Sequence, residues 1–211
     1  MLELLYSPSI ISKLLVLLTF FHALLRLKTK KRINQYLFYI LGISVLAELS
    51  NIYLKFNNLS YDTFITFRVV ISTILWFRIL YMIFKAKKLI VATIIAFSLF
   101  AFVNLLFMEG PLQFNYYTLI FGAFLYILFF VFESFNQLKR DNFYFFQSNK
   151  YILIVSPLIF FFGLSLLFFF KSYYLVSNTI IQNVKLFTYF NIIVNIIFYA
   201  SLNYYILKEK R

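Results

Sequence analysis

Seven apolar stretches divide this chain, at about 8–25, 34–54, 60–84, 88–107, 114–135, 150–170 and 182–206. Each is near the ~20 residues that a helix needs to cross the hydrocarbon of a bilayer. No water reaches that layer to pair backbone N–H and C=O groups, so only helices and closed barrels can span it. These stretches are continuously apolar and lack the in-out alternation of barrel strands, so they are expected to be helices. Composition agrees, since 63% hydrophobic against 13% charged residues cannot cover a soluble surface. The expected fold class is all-α: a polytopic integral membrane protein with seven transmembrane helices, forming a single domain over residues 1–211.

The basic residues set the orientation. Arg26, Lys28, Lys30, Lys31 and Arg32 fall between the first two stretches, Lys85, Lys87 and Lys88 between the third and fourth, and Lys139, Arg140 and Lys150 between the fifth and sixth. Lys208, Lys210 and Arg211 follow the seventh, whereas the alternate loops hold Lys55 and Lys171. Under the positive-inside rule this predicts N-out and C-in. Met1 to Ser7 carries Glu3 and no basic residue, unlike the start of a secretory signal. The net charge of +13 therefore reads as a topology signal, and no nucleic-acid partner is expected.

Chemistry is restricted just as strongly. With no cysteine, one histidine and seven acidic residues, disulfides, thiolate sites and a conventional metal centre are not expected, nor is any cofactor. The loops are short, the longest on the basic side running over about 136–149, so no output domain fits between the spans. An enzyme is not expected, because Glu48, Glu133 and His22 stand at different depths and form no catalytic set.

Charged groups inside hydrocarbon are expensive and normally face the bundle interior with a partner. Ser44, Glu48, Asn51 and Lys55 recur at helical spacing on the second stretch. Glu48 lies roughly 9 Å and Arg68 roughly 12 Å from the outer surface at 1.5 Å per residue, with Lys185 a few residues in. These three are expected to meet. One reading is a Glu48–Arg68 ion pair that fixes helix register. The other is an outward-facing polar pocket for a small-molecule ligand, with Glu48, Asn51, Arg68, Lys185, Asn191 and Asn195 as candidate ligand-binding residues. Arg78 and Glu133 match in depth nearer the inner surface, as an inner pair or as snorkelling side chains. His22, near Arg26, is expected at the inner interface.

The seventh stretch carries the most polar face. Lys185, Thr188, Asn191, Asn195, Tyr199 and Asn203 fall within roughly a third of a helix circumference. Asn191 and Asn195, one turn apart at mid-membrane, suit either interhelical hydrogen bonding or ligand contact. A solute transporter is the alternative to a binding module. Four glycines and three prolines leave little of the helix-breaking that transporters use at the midplane.

Ala47-Glu48-Leu49-Ser50-Asn51 and Asn57-Asn58-Leu59, with Phe114-Asn115, Pro157 and Ile181-Gln182-Asn183, resemble a group of small seven-span bacterial membrane proteins. That resemblance implies the bacterial cytoplasmic (inner) membrane and, since genes of the group often neighbour sensor histidine kinases, a signalling partner of that kind. The chain departs from the group at Arg68, where the third span of its members often carries an acid. Together these features lead to the expectation of a non-enzymatic sensory or partner-binding module embedded in the lipid bilayer.

Overall fold

The structure, a computed structural model, describes residues 9–57, 59–169, 179–181 and 184–209. Eight helices are present among them: α1 (Ser9–Arg26), α2 (Arg32–Phe56), α3 (Asp62–Ile83), α4 (Lys87–Val103), α5 (Tyr116–Lys139), the short α6 (Phe143–Gln147), α7 (Asn149–Phe169) and α8 (Leu186–Lys208). A π turn, Asn104–Met108, extends α4. Two short antiparallel strands, β1 (Thr179–Ile181) and β2 (Val184–Lys185), precede α8. Five helical runs are long and apolar enough to cross a membrane: Arg32–Leu54, Asp62–Ile83, Lys87–Met108, Tyr116–Lys139 and Thr188–Lys208. This is the architecture of a multi-pass membrane protein.

The long helices close into a ring. α1 packs on α2, α2 on α3, α3 on α4 and α5, α5 on α7, α7 on α8, and α8 back on α1. α3 also touches α7, which draws it towards the middle, while α4 is the least buried of the five apolar runs. Asp62, at the start of α3, marks one end of the bundle, and Lys31, just before α2, marks the other.

A core of large side chains fills the ring, with Phe77, Phe97, Tyr126, Leu153, Leu202 and Ile206 essentially inaccessible. Phe77 meets Phe97 edge to face at 6.0 Å, a favoured arrangement of ring quadrupoles. The outer perimeter is apolar as well: Leu18, Leu25, Leu99, Phe107 and Phe132 are exposed, as expected where lipid replaces water. Helices approach closely at two glycines. A Cβ on Gly122 would lie 2.9 Å from the Phe97 ring, and one on Gly163 would lie 2.5 Å from a Val194 methyl. Small residues at helix interfaces permit such approach.

Proline and glycine act where the backbone needs them. Pro157 removes an N–H from the α7 ladder, and in the preceding turn the Tyr126 hydroxyl donates to the Ile154 carbonyl at 3.0 Å. The carbonyl that loses its N–H partner is that of Leu153, four residues back, so the Tyr126 bond is a separate tie between α5 and α7. Gly110, with φ +79°, turns the chain after the π turn, a conformation that costs a side-chain-bearing residue. Glu109 then accepts from the Tyr116 and Tyr117 N–H groups at 2.9 and 3.1 Å, capping α5 at its positive end.

The last span differs in detail from expectation. The helix starts at Leu186 rather than near 182, because Lys185 pairs with Thr179 in the short hairpin. Lys185 is thus outside the helical stripe. Its side chain, and the expectations placed on Asn58, Lys171, Gln182, Asn183, Lys210 and Arg211, lie outside the described residues.

Candidate functional site: a cavity beside an ion pair

A cavity of about 350 Å³ lies inside the ring towards the Asp62 end. Exposed Asp62, with Phe114 and Tyr116, marks its rim. Glu48, Arg68, Ser44, Asn191 and Asn195 form its middle, and Ile40, Trp76 and Phe198 lie deepest. On α3 the cavity runs from Asp62 to Trp76, roughly 21 Å of helix at 1.5 Å per residue.

Three helices, α2, α3 and α8, position the polar wall. Arg68 Nη1 donates to Glu48 Oε1 at 3.1 Å, joining α3 to α2. Their side chains keep 21% and 17% of their accessible surface, so the pair is sheltered but not sealed. The guanidinium has five N–H donors in a rigid fork, more than one carboxylate oxygen can use. Tyr61 stands beside it, its hydroxyl donating to the Ala47 carbonyl at 2.8 Å. Burial raises the Tyr61 pKa above the ordinary phenol value, opposed in part by the Arg68 charge. Tyr199, fully buried on α8, lies against Ser44 and close to Arg68.

Asn191 and Asn195 face the same space from α8. The Asn195 amide donates to the Asn191 carbonyl at 2.7 Å and to its Oδ1 at 3.0 Å. The two amides are therefore bonded to each other within α8 and line the cavity. Ser72, one turn below Arg68 on α3, also lines it, with a buried hydroxyl oxygen that has no hydrogen-bond partner.

Of the six residues expected to bind ligand, Glu48, Arg68, Asn191 and Asn195 come together around this cavity. Asn51 does not line it. Three residues beyond Glu48 on the same helix it is rotated by roughly 60°, half-buried, with its Oδ1 unpartnered. Lys185 lies on β2 before the helix. The deep aromatic residues were not singled out from the sequence, because Trp76, Phe160 and Phe198 look like any other apolar residue in a span rich in them. Phe198 joins them, with ring centroids 6.3 Å from Trp76 and 4.8 Å from Phe160.

The loop at the rim is tied down. Thr66 Oγ1 on α3 accepts from the Asn115 N–H at 3.1 Å, and Thr63 donates to the Pro111 carbonyl. Asn104, in the π turn, donates to Glu109 at 2.6 Å and to Thr118 at 2.8 Å. π turns interrupt the regular ladder and often occur near functional sites.

At the Lys31 end the polar groups close on one another. His22 Nδ1 lies 2.6 Å from Asn203 Oδ1, and the Asn203 amide donates to Thr19 Oγ1 at 2.8 Å, joining α8 to α1. Tyr205 donates to Asn34 Oδ1 at 2.6 Å, and Asn34 in turn donates to the Lys28 carbonyl. Lys31 pairs with Glu209 at 2.7 Å, and Asn149 donates to the other carboxylate oxygen at 3.2 Å. Burial acts to raise the Glu209 pKa, but hydrogen bonds from Lys31 and Asn149 outweigh it and hold the group below its usual value.

Arg78 and Glu133 do not pair. Arg78 is exposed on α3, whereas Glu133 is buried on α5 and accepts from Gln137 Nε2 at 2.6 Å. Among the described residues no cluster of three or more His, Cys, Asp or Glu could hold a metal ion. Comparisons with protein families, curated proteins and solved structures found no match.

Proposed function

We propose that this is a seven-span protein of the bacterial inner membrane, N-out and C-in, whose outward cavity receives a small ligand and which acts as a non-enzymatic sensory or partner-binding module. α1 and α7 serve as the spans beyond the five apolar runs, since both are integral to the closed ring. The Asp62 end is then outside, and the basic loops lie in the cytoplasm.

One observation carries the reading: a cavity of about 350 Å³ lies against the Glu48–Arg68 pair. An ion pair that only fixes register needs no vacant volume beside it, and cavities in a close-packed interior carry a cost in stability. Ligand capture would alter the packing of α2, α3 and α8, which supply the polar wall. The basic cytoplasmic loops would pass that change to anionic lipid or to a signalling protein such as a histidine kinase. The resemblance to kinase-neighbouring seven-span proteins supports the same partner. Solute transport is the weaker reading, because Ile40, Trp76 and Phe198 form an apolar floor part-way through the bundle.

The natural chain has no cysteine, so any introduced thiol is unique. In intact cells Ser44→Cys should react with a membrane-impermeant thiol reagent added outside, and a C-terminal fluorescent fusion should be bright. A Ser44→Cys protein that reacts only after denaturation, or a C-terminal fusion active only in the periplasm, overturns the proposal. Saturable solute uptake into proteoliposomes would favour the transporter.

A further inference from the structure

We infer that the cavity takes a zwitterionic small molecule with a bulky apolar side group, of the amino-acid type. The inference rests on the ligand-binding reading above and names the ligand class for that site. Glu48 and Arg68 are in contact, so the charged middle of the cavity sums to zero as a pair. A ligand of net charge would add an uncompensated charge to a weakly polarisable interior, where desolvation is costly. A zwitterion brings both signs and leaves the sum unchanged. Asp62 does not alter this balance, because it is exposed at the rim, where water screens it.

The polar wall offers a partner to each end of such a molecule. The guanidinium fork of Arg68 suits a carboxylate, which it can bind through two parallel N–H bonds. Glu48 suits an ammonium group, with the amide oxygens of Asn191 and Asn195 on the same cavity. The deep part of the cavity is chemically different. Trp76 is eight residues beyond Arg68 on α3, roughly 12 Å at 1.5 Å per residue, and with Ile40, Phe160 and Phe198 it gives an apolar and aromatic lining. Burying an apolar side group there removes it from water. The polar-to-apolar division matches a molecule with charges at one end and a hydrocarbon or aromatic group at the other.

The test uses the full chain in lipid nanodiscs with Ser72→Cys as its sole thiol. The rate of modification by neutral 2-hydroxyethyl methanethiosulfonate is measured with six probes. L-leucine, L-phenylalanine and L-tryptophan are zwitterions with apolar side groups, and glycine lacks the side group. 2-Phenylethylamine is a net cation, and N-acetyl-L-phenylalanine a net anion. At least one of the first three should slow modification about tenfold near saturation, a difference of ~1.4 kcal/mol, and the other three should slow it far less. Arg68→Lys, which keeps the charge and loses the fork, should weaken the protection. Failure of all three apolar zwitterions to protect, or equal protection by the cation or the anion, overturns the inference. Brisk modification without such protection leaves the ligand cavity standing and removes only the ligand class. A Ser72 thiol that reacts solely after denaturation removes both.

Discussion

The two ends of this bundle carry similar polar side chains and use them in opposite ways. At the Lys31 end, His22, Asn203 and Thr19 bond to one another, Tyr205 bonds to Asn34, and Lys31, Glu209 and Asn149 form a further cluster. Of those groups only the Asn149 Oδ1 lacks a partner. At the Asp62 end an equally polar set, Glu48, Arg68, Ser72, Asn191 and Asn195, surrounds open volume, and the Ser72 hydroxyl has no partner at all. Polar groups in a membrane bundle can thus be consumed in holding helices together or kept in reserve. Their number alone does not distinguish the two.

The largest effect should come from breaking the ion pair on one side. Arg68→Met leaves Glu48 charged and unpaired, and should destabilise the protein by about 3 kcal/mol in reversible denaturation. The double variant Glu48→Met with Arg68→Met should recover most of that loss while abolishing ligand response. A double variant as unstable as the single one would mean that the pair itself holds this end together.

Next in size is a steric test of the α7–α8 contact. Gly163→Leu drives a side chain into Val194, which is stiff at its branched Cβ, and should cost roughly 2 kcal/mol by overpacking. Gly42→Ala, whose added Cβ would meet only a Phe20 ring carbon at 3.8 Å, should be nearly silent.

Deleting a single hydroxyl at each end compares the two directly. Thr19→Val removes the acceptor for Asn203 and should cost about 1 kcal/mol. Ser72→Ala removes a hydroxyl that bonds nothing and should leave the melting temperature unchanged or slightly raised. Equal losses at the two sites would erase the distinction between the ends.

The smallest effect concerns pH. The folded-state pKa of Glu209 is lowered, so its contribution is complete above the unfolded carboxylate pKa and is lost as pH falls through the folded value. With Lys31 59% exposed, solvent screening limits the pair to a few tenths of a kcal/mol. Glu209→Gln should remove that slight acid sensitivity, seen as a flatter melting temperature between about pH 6 and about pH 3.

How much of this was legible beforehand depends on the coordinate concerned. Depth in a membrane can be counted along the chain, and the match between Glu48 and Arg68 was found that way. Azimuth about the helix axis is set by neighbours. Arg78 and Glu133 also matched in depth, yet one is exposed and the other buried beside Gln137. The polar stripe on the last span was visible from its spacing, but its division was not. Asn191 and Asn195 line the cavity, Tyr199 is buried against it, and Asn203 reaches across to α1. His22 acquired its partner only through the closure of the ring, 181 positions along the chain.

That closure bears on biosynthesis. The wall bearing Asn191, Asn195 and Tyr199 is the last part of the cavity to be synthesised, because it arrives only with α8. Until then Glu48 and Arg68 sit in a trough open to lipid on one side. The Glu48–Arg68 pair is therefore enclosed only once the final helix has packed on α1 and α7.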